Sequence, residues 1–296
     1  MNQSITRRQA LKNLATASLA GTALLAGQRS WGASSEKNSP GIRIGVCDWT
    51  MGKRGDPEAF PLAKSLGFQG VQVDLGDAAS DLPVRKKEVQ EAILAKSRET
   101  GIPIASLAIG ALNDVPYKKD PRAEAWVADS IPAAEALGVR IILLAFFSEG
   151  DLRGDAEGVN TVVSRLKNIA PVAEKAGLVF GIESWLTAEE HVQIIDRVGS
   201  PAVKVYYDVG NSNHVKSDIY KEIRYLGKDR ICEFHAKDYD DLYGKGSINF
   251  PEVRKAMEEI GYQGWMQVEG FQYPLGLEES LKYDASYLKN LFSGDS

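Results

Sequence analysis

One short pattern recurs five times in this chain: an amphipathic stretch, a glycine, and then a run of apolar residues. It reads SLGFQGV, ETGIPI, EALGVRI, KAGLVF and EIGYQGW. Glycine just past the last turn ends a helix easily, because it enters left-handed backbone without a Cβ clash. The runs that follow are β-branched and nearly continuous in apolar residues, as strands covered on both faces should be. Each repeat is therefore a helix feeding a buried strand, and a chain made of such units is committed to a parallel sheet.

Eight strand candidates result: IRIGVC (42–47), VQVDL (71–75), IPIASLAIG (102–110), VRIILLAFF (139–147), LVFGIES (178–184), VKVYYDV (203–209), ICEFHA (231–236) and WMQVEG (265–270). Segments of helical period lie between them. DPEAFPLAKSLGF and DPRAEAWVADSIPAAEALGV open on Asp-Pro and close on glycine, TAEEHVQIIDRVGS opens on a Thr cap with an acidic first turn, and NFPEVRKAMEEIGYQG sets proline near its start. Eight such units in about 250 residues match a (β/α)8 barrel. A doubly wound open sheet would carry a G-x-G-x-x-G turn after its first strand, and GVCDWTMGKRG lacks that spacing. The sequence predicts an α/β fold, a single (β/α)8 TIM barrel, as the catalytic domain over residues 41–296.

The first 33 residues read as an address. Thr6-Arg7-Arg8-Gln9-Ala10-Leu11-Lys12 precedes the mildly apolar NLATASLAGTALLAG, the basic-then-apolar order of an export leader. It resembles a twin-arginine signal, so residues 1–33 are expected to be a signal peptide, 34–40 a linker, and the protein periplasmic or otherwise exported by the twin-arginine machinery. Removing the four leader cations from the chain's net charge of −5 leaves −9 on the rest, a poor surface for nucleic acid. Cys47 and Cys232 each sit in an apolar run, where a thiol behaves as a small hydrophobe; no disulfide is expected between them.

In a barrel of this kind the chemistry stands at the C-terminal ends of the strands. Strands five to eight end at Glu183, Asp208, His235 and Glu269. Taken singly, each has a plain structural reading: a glutamate can cap a helix, Asp208 can open the turn DVGNSN, and His235 can be a satisfied core imidazole. Taken together, four such groups converging would bury like charges unless a cation neutralises them. Three carboxylates and one imidazole suit Mn2+ best, with Mg2+, Co2+ and Zn2+ also compatible.

GIES, YDVGN, FHAKD, GKGSINFPEVRKAMEEIGYQGW and VEG together resemble the sugar phosphate isomerase/epimerase family, the xylose-isomerase-like barrel group that includes ketose 3-epimerases and pentulose-phosphate epimerases. The resemblance runs from about Ile42 to Leu291 and is most specific in the C-terminal half. It implies that Glu183, Asp208, His235 and Glu269 bind a divalent metal and that Glu183 and Glu269 act as catalytic acid and base. The implied reaction is proton transfer beside a ketone through a metal-stabilised enediolate. The chain departs from the pattern in three places. Asn211 stands where many relatives have histidine, Gln72 where a strand-two glutamate is usual, and Lys237 with Lys245 where ketose 3-epimerases place an arginine.

Lys237, two residues past His235, should share its inward face; with Asn211, Lys245 and Trp185 as a sugar platform, it completes the expected substrate contacts. Glu233, deeper in the strand, is expected to pair with a lysine or arginine, and His191 and His214 to face solvent. An exported enzyme would meet an unphosphorylated keto-sugar. The same site could serve a 3-keto-glycoside lyase, and a catalytically inactive carbohydrate-binding barrel is the alternative of another class. Phosphodiester cleavage by a multi-zinc site is excluded, because the chain has only three histidines. A homo-oligomer is compatible with this reading.

Overall fold

The structure, a computed structural model, describes residues 41–293. The expected leader and linker lie outside the described residues. Eight parallel strands follow one another around a closed barrel: β1 (Ile42–Cys47), β2 (Val71–Asp74), β3 (Ile104–Ile109), β4 (Ile141–Phe146), β5 (Val179–Ser184), β6 (Val203–Asp208), β7 (Ile231–Ala236) and β8 (Gly264–Val268). β8 closes onto β1 with Ile42 opposite Gly264 and Val46 opposite Val268. The predicted fold class is the observed one.

Helices return the chain between strands: α1 (Ala59–Leu66), α2 (Lys87–Thr100), α3 (Pro121–Leu137), α4 (Ala156–Ala176), α5 (Ala188–Val198), the short α6 (Val209–His214), α7 (Ile219–Arg230), α8 (Phe250–Glu259) and α9 (Leu277–Phe292). Their ends follow the local chemistry. Asp120 caps α3 by accepting the Arg122 N–H, and Thr187 with Glu190 forms a capping box on α5. Gly138 and Gly177 end α3 and α4 at φ of 73° and 69°, where any side chain would be strained.

The main apolar core lies between the strands' outer faces and the helices, with Phe60, Phe146, Phe180, Phe234 and Phe250 fully buried. Inside the barrel the layer is different. Alternate residues point inward, and several are polar: Gln72, Ser106, Glu233, His235 and Gln267 are each wholly buried. This polar interior is the floor on which the site rests. Cys47 and Cys232 are free thiols, as expected. No helix among the described residues is long and apolar enough to cross a membrane.

Candidate active site

Because β5 to β8 are neighbours, their C-terminal ends face a common space. Asp208 pairs in register with His235, and His235 with Gln267. Asp208 ends β6, Glu183 and His235 each lie one residue inside the ends of β5 and β7, and Glu269 is the residue after β8. One ligand atom from each lies within 4.8 Å of the others. His235 Nδ1 faces all three acids: Glu183 Oε1 at 3.0 Å, Glu269 Oε2 at 3.4 Å and Asp208 Oδ2 at 3.8 Å.

The interior layer fixes that orientation. His235 Nε2–H donates to Gln72 Oε1 at 2.7 Å, Gln72 Nε2 donates to the Tyr206 hydroxyl at 3.0 Å, and that hydroxyl donates to Glu233 Oε1 at 3.0 Å. Each link has its donor turned the same way, so Nε2 carries a proton and Nδ1 is the nitrogen that faces the carboxylates. Burial lowers the His235 pKa, but the three acids outweigh it and raise it to about 9, and Nδ1–H donates to Glu183 Oε1. Glu233 was expected to find a lysine or arginine. Instead it collects neutral donors, Gln267 Nε2, Ser106 Oγ and Tyr206, at 2.6, 2.9 and 3.0 Å. Burial raises its pKa to about 7 even though these three bonds pull it down; the side chains that meet it on the barrel floor, Ser106, Tyr206 and Gln267, are neutral.

The cluster's electrostatics are those of a cation site. Asp208 Oδ1 accepts the N–H groups of Gly210 and Asn211, so the turn-opening role is real. Its other oxygen is buried and accepts no hydrogen bond, although Lys237 Nζ lies 3.4 Å away. Burial drives the Asp208 pKa up; Lys237 offsets this in part, while Glu269 and Glu183 add to it. For Glu269 burial acts upward too, but Lys237 and His235 outweigh it and hold the group well below the usual carboxylate range. A carboxylate oxygen without a hydrogen bond, an imidazole nitrogen that a metal can claim in place of its proton and two further carboxylates aimed at one point fit a hard divalent cation. Glu183, Asp208, His235 and Glu269 are the residues that could hold it.

A cavity of about 270 Å³ opens beside the cluster, lined by Glu183, Glu269, Lys237, Asn211 and Trp185 among others. Lys237 Nζ sits 2.5 Å from Glu269 Oε2, so its partner is that acid, while Asp238 instead accepts backbone N–H groups of its own loop. Asn211 donates to Glu183 Oε1 at 3.2 Å and accepts from the Tyr239 hydroxyl at 2.6 Å. Trp185 packs edge-on against Phe147, with ring centroids 5.0 Å apart.

Lys245 does not join them. It is exposed, its Nζ over the Tyr283 ring at 4.6 Å, and it does not line the cavity. His214 faces solvent as expected, but His191 is buried. Its Nε2 meets Ser184 Oγ at 2.9 Å and its Nδ1 meets Thr187 O at 3.0 Å, because the inner stripe of α5 includes position 191.

Sequence reasoning missed one side of the cavity. Arg54, Asp74, Gly110 and Asn113 also line it; they stand beside Trp49, a strand-end aromatic that the sequence did offer, whose Nε1 donates to Glu269 Oε1 at 2.9 Å. The available signal was positional: Arg54 follows β1, and Asp74 ends β2.

The comparisons with known proteins agree with this geometry. Residues 60–291 match the model of a family described as xylose isomerase-like TIM barrel. The chain is 26% identical over 200 residues to 2-epi-5-epi-valiolone 7-phosphate 2-epimerase of Actinoplanes sp., covering 66% of this chain and 72% of that protein. It is 24% identical over 252 residues to D-psicose 3-epimerase of Enterocloster bolteae, covering 78% and 83%. Among solved structures, 3-keto-D-glucoside 4-epimerase from E. coli superposes with a TM-score of 0.71 at 17% identity, covering 84% of this chain and 99% of that one. With its closed eight-stranded barrel and a match over most of its length, the chain belongs to the xylose isomerase-like TIM barrel family.

Proposed function

We propose that this protein is a divalent-metal-dependent sugar epimerase or isomerase acting on an unphosphorylated keto-sugar, by proton abstraction next to the ketone. The observation that carries the reading is the convergence of Glu183, Asp208, His235 and Glu269 within 4.8 Å at the mouth of a polar cavity. Relatives named as epimerases of sugars and sugar-like phosphates support the reaction class.

A divalent cation held by these four residues would polarise a substrate carbonyl and offset negative charge that develops on it. Manganese is the metal we favour. Glu269, kept ionised beside Lys237 and His235, is in the protonation state that taking a proton from carbon requires. Glu183, from β5, is suited to deliver one to the other face of the planar enediolate. Lys237 Nζ is placed to neutralise Glu269 when that carboxylate is ionised. Asn211 holds Glu183 Oε1, leaving its second oxygen for the proton. Trp185 and Phe147 form an aromatic wall that can cover the apolar face of a sugar and exclude water.

We further propose that residues 1–33 direct twin-arginine export and are followed by the linker 34–40 and the catalytic barrel, so the enzyme works in the periplasm. Folded export would let the barrel take its metal before it crosses the membrane.

The test is to load the purified protein with Mn2+, incubate it with ketoses and keto-glycosides in D2O, and follow carbon-bound protons by NMR. Deuterium entering beside a carbonyl, and lost in Glu183→Gln or Glu269→Gln, supports the proposal, and the product identifies epimerisation, isomerisation or elimination. Bound metal without exchange on any of these sugars overturns it.

A further inference from the structure

Across the closed ring from β6, the end of β2 carries a second polar arrangement that the metal cluster does not use. Asp74 is buried, and its oxygens are fully engaged: Oδ1 accepts Gly76 N–H at 2.8 Å, and Oδ2 accepts Gly110 N–H at 3.0 Å and Arg54 Nη1 at 3.1 Å. Asp48, also buried, accepts the N–H groups of Gly55 and Asp74 at 2.8 and 3.0 Å. It thereby ties the loop that carries Arg54 to the end of β2. A Cβ at position 110 would stand 2.6 Å from Asp74 Oδ2 and 2.8 Å from Arg54 Nη1, so glycine there makes room for the pair. Two buried acids and a glycine hold one arginine at the cavity wall, its side chain still 34% exposed.

We propose that Arg54 is a substrate-binding residue that anchors the end of the substrate remote from the reacting carbon, and that this end is a neutral polyhydroxylated sugar terminus and not a phosphate; the inference rests on the epimerase reading above. The charge pattern supplies the class of ligand. Arg54 and Lys237 are the cations lining the cavity among the described residues, against Asp74, Glu183 and Glu269. Arg54 is already matched by acids outside the metal cluster: it pairs with Asp74 and lies 3.6 Å from Asp77. An arginine held by two carboxylates offers a phosphate dianion little net positive field. A guanidinium with Nη1 and Nε turned to acids keeps the N–H donors of Nη2, which suit sugar hydroxyls without needing a net positive field. Trp49, whose ring lies 6.0 Å from the guanidinium carbon, gives that end an aromatic neighbour.

The test uses ligands that cannot react. Binding of a hexitol and of the corresponding hexitol phosphate to the Mn2+-loaded full chain is measured by calorimetry, for the wild type, Arg54→Met and Gly110→Ala. The expected result is hexitol binding by the wild type and phosphate ester binding at least about tenfold weaker. Each variant should lose about tenfold in hexitol affinity, the worth of one charge-assisted hydrogen bond, with Mn2+ affinity unchanged for Arg54→Met, whose Tm should fall because buried Asp74 loses its charged partner. Equal or tighter binding of the phosphate ester, no binding of hexitol by the wild type, or wild-type hexitol affinity in Arg54→Met would each overturn the proposal. Because a hexitol has no ketone, Arg54-dependent binding without deuterium exchange on ketoses would sink the epimerase reading alone. Exchange with a KM indifferent to Arg54 would sink this one alone.

Discussion

His235 Nε2 and Gln72 Oε1 stand 2.7 Å apart, and this contact decides which ring nitrogen faces the carboxylates. Gln72 is a neutral amide, yet as an acceptor it orients the ring. Replacing it with leucine removes the acceptor and lets the ring flip or change tautomer. Mn2+ affinity should fall about 10- to 100-fold, as for other outer partners of a metal-binding histidine. Titration against a competing chelator measures it, and unchanged affinity would show that the contact is incidental.

One link further in, Tyr206→Phe deletes a hydroxyl that accepts from Gln72 and donates to Glu233. Both partners are buried, so the folded state should lose about 1–3 kcal/mol. Urea unfolding of the metal-free protein, with the m-value unchanged, is the check. Mn2+ affinity should fall less than in Gln72→Leu, because the acceptor for His235 survives.

Asp208→Asn separates the two jobs of that residue. Its side-chain oxygen can still accept from Gly210 and Asn211, so the turn after β6 stays capped. Losing one of several buried like charges should leave the metal-free Tm equal to or above that of the wild type. With Mn2+ at a hundredfold excess over its Kd, the wild type should gain about 2.7 kcal/mol of stability. The variant should gain almost none. A scanning-fluorimetry shift of wild-type size in Asp208→Asn would refute its place among the ligands.

Burial of His191 pulls its pKa from 6.5 to about 4, against a smaller opposing pull from Thr187 and Glu190. The folded state thus prefers the neutral ring. Its contribution is complete above the unfolded value of 6.5 and is lost as pH falls toward 4, a span worth on the order of 3 kcal/mol. His191→Gln should therefore show a shallower stability loss than the wild type between pH 6.5 and 4. The comparison needs both proteins because the carboxylates also titrate in that window.

The four converging side chains were legible in the sequence because topology alone determines where a strand end goes in a closed barrel. Once the strands were placed, Glu183, Asp208, His235 and Glu269 had to meet. Arg54 and Asp74 were not legible in the same way. Their pairing depends on Asp48 reaching across 26 residues to the Asp74 N–H and on a glycine at 110, relations with no period to betray them. Lys245 shows the opposite error: nearness in sequence to a strand end says nothing about direction once the loop has turned outward. His191 was misjudged because a polar side chain on a helix looks solvated until its neighbour, Ser184, is known to offer it a hydroxyl.

Trp49 follows the first strand and Glu269 follows the last, 220 residues later, yet the indole donates to the carboxylate across the seam where β8 meets β1. The fourth corner of the cation cluster is therefore fastened by the same joint that shuts the ring. During synthesis, the residues from β5 to β7 leave the ribosome before this corner exists. A nascent chain stalled ahead of β8 can fold helices and pair strands, but it cannot assemble the complete ligand set. Capture of an ion by all four groups thus becomes a readout of finished translation and ring closure, and the indole fluorescence of Trp49 is placed to report the moment at which it happens.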